Sequence, residues 1–308
     1  MKVFKSLIFG ALLFAGDAGV QAEAPDYRFF VAGGVCAACS HGITTPIDVV
    51  KTKIQTNPSK YKGGMLKAAK EIVAEEGPGY LLAGLGPTVV GYGLEGAAKF
   101  GFYESLKPIS MKAIDNKAVA FLVASIVAGA VASVLLCPME STRIRLVTDP
   151  KFASGLITGL PKLIKEEGLV STFDGLAAML AKQVPYTLGK QVSFDVFAGM
   201  LYSLADSMNL DGENMKFVIS FGAAFCAAIL ACLSSQPGDM VLTQTYKGKS
   251  SGKGFGDIVS DIWAEGGIPA FFSGTGARLV HVISIITSQL MIYDLVKMGL
   301  GLPATGSH

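Results

Sequence analysis

The 308-residue chain is 51% hydrophobic and only 16% charged, against about 25% charged in an ordinary soluble domain, and its mean hydropathy of +0.48 is strongly apolar. That excludes a pair of soluble domains; divided by the ~20 apolar residues that cross a bilayer, the length leaves room for about six spans and short loops. A net charge of +2 without any basic run excludes a track for a nucleic-acid backbone.

In chain order, residues 1–24 form a targeting or signal-like segment. Lys2 and Lys5 precede an apolar run from Ser6 to Gly16 and a small-residue exit at Val20-Gln21-Ala22, the pattern of a secretory signal. The segment lacks the arginines of a mitochondrial presequence and contains Asp17, and an uncleaved apolar extension is the alternative reading. Three units follow, at 25–112, 113–207 and 208–300, with a tail at 301–308. Each opens with a long apolar helix (near 28–56, 117–147 and 215–246) that carries a proline and should kink there, because proline removes a backbone hydrogen bond and crowds the preceding turn. Each closes with a second long helix, near 85–107, 176–204 and 276–299. Between the two lies a short amphipathic stretch such as Met65 to Glu75, with Leu66, Ala69, Ile72 and Val73 at helical spacing, suited to lie along a membrane surface. Small residues in the spans, such as Gly33, Gly34, Gly129 and Ala130, suit close helix packing in lipid. The five cysteines lie in apolar stretches without paired CxxC groups and histidines, so no zinc site is expected; Cys36 and Cys39 read as packing residues rather than a redox pair.

The units share three landmarks. Pro46-Ile47-Asp48-Val49-Val50-Lys51-Thr52-Lys53 recurs as Pro138-Met139-Glu140-Ser141-Thr142-Arg143-Ile144-Arg145, and weakly as Pro237-Gly238-Asp239-Met240-Val241-Leu242-Thr243-Gln244. About thirty residues after each proline come an acid and glycine, then a second glycine: Glu76-Gly77 to Gly84, Glu167-Gly168 to Gly175, and Glu265-Gly266-Gly267 to Gly274. An aromatic-acid pair ends each unit, at Tyr103-Glu104, Phe194-Asp195 and Tyr293-Asp294, with Lys107 and Lys297 three residues after the acid in the first and third. Such an ordered triplication makes the chain a repeat protein. The fold expected is an all-α membrane bundle of six transmembrane helices in three tandem two-helix repeats with pseudo-threefold symmetry.

Charges inside spans face partners or water. With three proline helices around one axis, Asp48 with Lys51, Glu140 with Arg143, and Asp239 form a ring of ion pairs that closes one end of a cavity; Asp48 is expected to pair with Arg143 and Asp239 with Lys51, leaving Glu140 opposite Leu242 without its base. The alternative is that these charges merely sit at the water interface. Glu104, Lys107, Asp195, Asp294 and Lys297 would form a second ring at the other face, and two rings that cannot close together imply alternating access with substrate near the midplane. Five residues before each closing acid stand Lys99, Lys190 and Gln289; thirteen before stand Gly91, Lys182 and His281. These tiers, eight residues and so about 12 Å apart, give a mostly positive cavity that favours a small anion. Glu95, one turn before Lys99, pairs with it. His41, five residues before Pro46, is either a packing residue or a group that takes up a proton near neutral pH, with Glu95 the next candidate.

The thrice-repeated Pro-x-acid-x-x-base element with its downstream acid and glycine resembles the mitochondrial carrier family over residues 27–300. Within that family the chain is most similar to the phosphate carriers, through His41 and Pro46 to Gln55, Gly86-Pro87-Thr88 with Gly91-Tyr92, Lys99 to Glu104, Cys137 to Glu140 with Arg143 and Arg145, and Lys182-Gln183-Val184-Pro185-Tyr186. The resemblance implies import of inorganic phosphate with a proton, or in exchange for hydroxide, across the mitochondrial inner membrane. It implies that Lys182 with Gln183 binds substrate, that Lys99, Lys190 and Gln289 line the cavity, and that Gln244 braces the matrix-side gate; His281 joins the substrate-binding set by its depth in the tier. A monomer with cardiolipin at the short surface helices is expected, without cofactor or metal, and the sequence holds no Ser-His-Asp set, metal cluster or phosphate-cradling glycine loop that would point to an enzyme. Three departures stand out: Glu95 where phosphate carriers have glutamine, Gly129 and Ala132 where they have acids, and Ile283-Ser284-Ile285-Ile286 where they have Gly-Thr-Leu-Thr. A carrier of sulfate or a dicarboxylate on the same scaffold, and a non-transporting membrane scaffold, are the competing readings.

Overall fold

The computed structural model describes residues 26–208, 215–247 and 253–301; the signal-like segment 1–24 and the tail beyond Gly301 lie outside the described residues. Every described element is a helix: α1 (Tyr27–Ile43), α2 (Thr45–Thr56), α3 (Met65–Glu76), α4 (Leu85–Ala113), α5 (Lys117–Thr148), α6 (Leu156–Glu167), α7 (Leu176–Ser207), α8 (Lys216–Tyr246), α9 (Phe255–Gly266), α10 (Ile268–Phe271) and α11 (Thr275–Gly299). The six spans are α1 with α2, then α4, α5, α7, α8 and α11. By length and composition, Lys117–Thr148, Phe221–Tyr246 and Ile268–Gln289 can each cross a bilayer, and the bent pair α1–α2 makes a fourth such span. The helices α4 and α7 are long enough, at 29 and 32 residues, but carry Glu95, Lys99, Lys182 and Lys190, charges that an inward face tolerates and lipid does not.

The prolines act unequally. In the first repeat the helix breaks with a 65° bend at Thr44, where Pro46 opens α2 in the first turn, a position at which its missing N–H costs nothing. Thr44 Oγ1 donates to Ser40 O at 2.9 Å across the break. In the second and third repeats α5 and α8 run on through Pro138 and Pro237.

The repeated glycines have distinct tasks. Gly77, Gly168 and Gly267 follow the surface helices with φ of 84°, 89° and 63°, backbone that only glycine takes without strain. The second glycines receive the next repeat. A Cβ on Gly84 would sit 3.5 Å from Val147 Cγ2, on Gly175 2.4 Å from the Tyr246 ring, and on Gly274 2.8 Å from Gln55 Cγ. Val147, Tyr246 and Gln55 each stand nine residues after their proline, so the three contacts are threefold-related and link repeat 1 to 2, 2 to 3 and 3 to 1.

The surface helix α3 buries Ala68 and Ile72, with Ala69 packed against the same cluster. Leu66, on the same helical spacing, is 77% exposed. It belongs with Ile157, Val170, Trp263 and Ile268, apolar side chains turned outward on all three surface segments, as a membrane-facing exterior requires.

Candidate functional site

Where α2, α5 and α8 converge, the repeated charges meet. Asp48 contacts Arg143 directly, and Lys51 reaches Asp239 at 3.0 Å and Asp48 at 3.6 Å. All of these side chains are at most 6% exposed, and such burial demands the pairing seen. Glu140, expected to lack a base, takes both oxygens to Arg143 of its own helix, at 2.8 and 2.9 Å. The reason is spacing: three residues along a helix put the two on one face, and the fork of Arg143 serves Glu140 and Asp48 together.

Gln244 does not reach an ion pair; its amide donates to Gln55 O at 2.9 Å. The glutamine that touches the ring is Gln55, whose Nε2 donates to Asp239 Oδ2 at 3.0 Å while its Oε1 accepts from Thr243 Oγ1 at 3.1 Å.

The tier of Gly91, Lys182 and His281 sits at the ring and not above it. Lys182 Nζ is 3.6 Å from Asp239 Oδ1. His281 Nδ1 is 3.5 Å from Asp48 Oδ1, and its Nε2 is 3.3 Å from Thr44 Oγ1, so it faces a carboxylate as well as the nearby bases. Gly91 lines nothing: a Cβ there would lie 2.5 Å from Met139 Cβ, and its absence lets α4 close on α5. Arg278, unremarked in the sequence, is buried beside them; its Nε is 3.3 Å from Asp239 Oδ2. One turn before His281, it shares that residue's helix face.

His41 stacks on Tyr92, ring centroids 3.6 Å apart at 6°, and meets His281 edge-on at 6.3 Å. Gln183 points away from Lys182, into α5: its Nε2 would be 3.2 Å from a Cβ on Gly129, and that nitrogen is buried with no hydrogen-bond partner among the described residues. In the upper tier Lys99 pairs with Glu95 at 3.5 Å, Lys190 is exposed, and Gln289 offers its backbone oxygen to Cys36 Sγ at 3.4 Å. At the opposite end Lys107 pairs with Glu104 within α4 at 2.8 Å and lies over the Tyr103 and Phe121 rings. The side chains of Asp195, Asp294 and Lys297 lie outside the described residues.

Six spans in three repeats, converging on a buried ring of ion pairs with further bases on the even helices, define a membrane transporter built on pseudo-threefold symmetry. The profile of the mitochondrial carrier protein family matches residues 23–113, 115–204 and 213–302, and the chain belongs to that family, as a multi-pass protein of the mitochondrial inner membrane. It is 37% identical over 284 residues to mitochondrial substrate carrier family protein N of Dictyostelium discoideum, covering 89% of this chain and 95% of that one. It is 33% identical to a probable mitochondrial phosphate carrier protein of Schizosaccharomyces pombe, covering 94% and 96%. It is 31% identical to solute carrier family 25 member 3 of Homo sapiens, covering 90% and 78%.

Proposed function

We propose that this carrier moves inorganic phosphate together with a proton, or in exchange for hydroxide, by alternating access. The observation that carries the reading is the surplus of base where the spans converge. Asp48, Glu140 and Asp239 supply three carboxylates, whereas Lys51, Arg143, Lys182 and Arg278 supply four cations in contact with them. A buried surplus positive charge demands an anion, and Lys182 and Arg278, on the even helices α7 and α11, are the two that an entering anion meets. The phosphate-carrier relatives support phosphate as that anion. In this reading the ring is the matrix-side gate in its closed state, with Gln55 bracing the Lys51–Asp239 pair. Lys99, Lys190, Gln289 and His281 line the path, Glu104, Lys107, Asp195, Asp294 and Lys297 form the cytoplasmic gate, and His41 beside His281 takes the proton.

Purified protein in liposomes should exchange labelled phosphate and should not exchange sulfate or malate at comparable rates. Lys182→Ala should lower phosphate uptake about tenfold or more, the effect of one lost charge-assisted contact. Sulfate or malate flux exceeding phosphate flux would transfer the same mechanism to another anion.

A further inference from the structure

The three ring acids are not equivalent. Among the described residues Glu140 has one basic partner in ion-pair contact, Arg143, and Asp48 has Arg143, Lys51 and His281. Asp239 is faced by three cations and an amide: Lys51 at 3.0 Å, Arg278 at 3.3 Å, Lys182 at 3.6 Å and Gln55 Nε2 at 3.0 Å. Two of those cations, Lys182 and Arg278, come from the even helices and not from the proline helices that form the ring.

The approach is built into the backbone. Gly238 stands where the other repeats have Ile47 and Met139. A Cβ there would lie 2.5 Å from Lys182 N and 2.6 Å from Ala181 C, so glycine lets α8 lie directly on α7 and delivers the neighbouring Asp239 to Lys182. Arg278 is fixed in place: Nη1 donates to Cys232 O at 2.9 Å and Gln236 Oε1 at 3.1 Å, and Nη2 to Ser235 Oγ at 2.7 Å. Lys182 has no such anchors; its side chain is 15% exposed against 5% for the other members of the cluster, and Asp239 is its one carboxylate partner among the described residues.

We propose that Asp239 is an internal stand-in for the transported anion: in the empty carrier its carboxylate neutralises Lys182 and Arg278, and an entering anion competes with it for both. The inference rests on the anion-transport reading above and extends it to the opening step. When an anion with several acceptor oxygens takes Lys182 and shares Arg278, Asp239 keeps Lys51, Gln55 and a part of Arg278. The charged tie of α8 to α7 is then transferred to the substrate, while Arg278 keeps its anchors to Cys232, Gln236 and Ser235 of α8, and the gate is weakened by the substrate's arrival. Gating of this kind discriminates by charge, since a neutral solute cannot displace a carboxylate from two cations.

The test is equilibrium binding of inorganic phosphate to the detergent-purified full-length protein, run beside sulfate and malate. Asp239→Asn should bind phosphate roughly tenfold more tightly than wild type, because a competing charge is gone, while transporting it more slowly. Asp48→Asn should slow transport without tightening binding, since Asp48 touches neither Lys182 nor Arg278. Asp239→Glu keeps the charge and reaches one carbon further towards Lys182, so it should bind phosphate severalfold more weakly. A purely structural role for Asp239 moves Asp239→Asn and Asp48→Asn alike. Should Asp239→Asn not fold, Asp239→Glu decides alone, and wild-type affinity there overturns the proposal, as does unchanged or weaker binding by Asp239→Asn. If wild type binds sulfate or malate and not phosphate, the substrate reading fails while the competition is read on that anion. No binding of any of the three to wild type or Asp239→Asn overturns both.

Discussion

In the proposed mechanism His41 is the residue on which proton coupling turns. Phosphate carries between one and two negative charges near neutral pH, and moving it against a negative interior costs ~2.3 kcal/mol per charge per 100 mV; a co-transported proton removes part of that cost. His41 lies flat on Tyr92 and edge-on to His281, a geometry that serves packing and proton uptake equally, so the substitution has to separate them. His41→Phe keeps an aromatic face for Tyr92, and it should retain phosphate/phosphate exchange while losing stimulation by an inward proton gradient. Gradient-driven uptake that survives in His41→Phe and fails in Glu95→Gln would move the role to α4. Asp48, Lys51, Arg143 and Asp239 were readable from the sequence because the repeat displays them at one spacing. Gln55 and Arg278 were not, for the same reason. The position nine after each proline holds Gln55, Val147 and Tyr246, and the position four after each second glycine holds Thr88, Met179 and Arg278; a side chain that occurs in one repeat leaves no periodic mark. Gln183 misled through its neighbour: adjacent residues on a helix point about 100° apart, and the direction that takes Lys182 to Asp239 takes Gln183 into α5.

Between elements, the Asp48–Arg143 contact joins α2 to α5 and so ties repeat 1 to repeat 2. Both side chains are buried, where breaking a pair by removing one partner typically costs ~3–5 kcal/mol. Asp48→Arg should therefore abolish transport, and combining it with Arg143→Asp should restore part of it, measured as exchange in liposomes. The restoration is partial because Asp at 143 no longer serves Glu140 and Arg at 48 faces His281 and Lys51. A double variant no better than either single would remove this pair from the gate. The elements themselves were plain in the sequence where period and caps agreed, as in the surface helices ended by Gly77, Gly168 and Gly267. The inward faces were less so. Leu66 fits the helical period as well as Ile72, and only the bilayer around the molecule makes both a lipid-facing and a core-facing stripe favourable.

Across the described residues, six spans place the start of α1 and the end of α11 on one side, and Arg28 near the start of α1 donates to Leu300 O just beyond α11 at 3.4 Å. Tags on the two termini should be accessible from the same face of a sealed vesicle; accessibility from opposite faces would contradict the six-span count. The symmetry that gives this topology is broken at the ring. Repeats 1 and 2 are joined by Asp48–Arg143. Repeats 3 and 1 are joined by Lys51–Asp239, by Gln55 with Asp239 and Thr243, and by Lys247 with Thr56 O. Repeats 2 and 3 meet through an apolar cluster in which Cys137 and Ile144 of α5 pack with Met240, Leu242 and Tyr246 of α8. That cluster includes the buried Leu242 at the third repeat's base position, so among the described residues the proline helices meet at two charged seams and one apolar one. Opening the apolar seam parts no ion pair between the proline helices; the pair that crosses between these repeats is Lys182–Asp239, from the even helix α7, and it is the one the entering anion is proposed to displace. Leu242→Lys would add a base beside Glu140, whose carboxylate otherwise shares Arg143 with Asp48. A charge-assisted contact made only in the closed state, at ~1.5 kcal/mol or more, slows opening by about tenfold. Leu242→Lys should accordingly lower the rate of phosphate exchange by about that factor while raising the melting temperature of the substrate-free protein, and Leu242→Met, which keeps the seam apolar, should do neither. If Leu242→Lys lowers the melting temperature and Glu140→Gln in the same chain does not lower it further, the lysine has found no partner, and the repeat 2–3 seam does not belong to the gate.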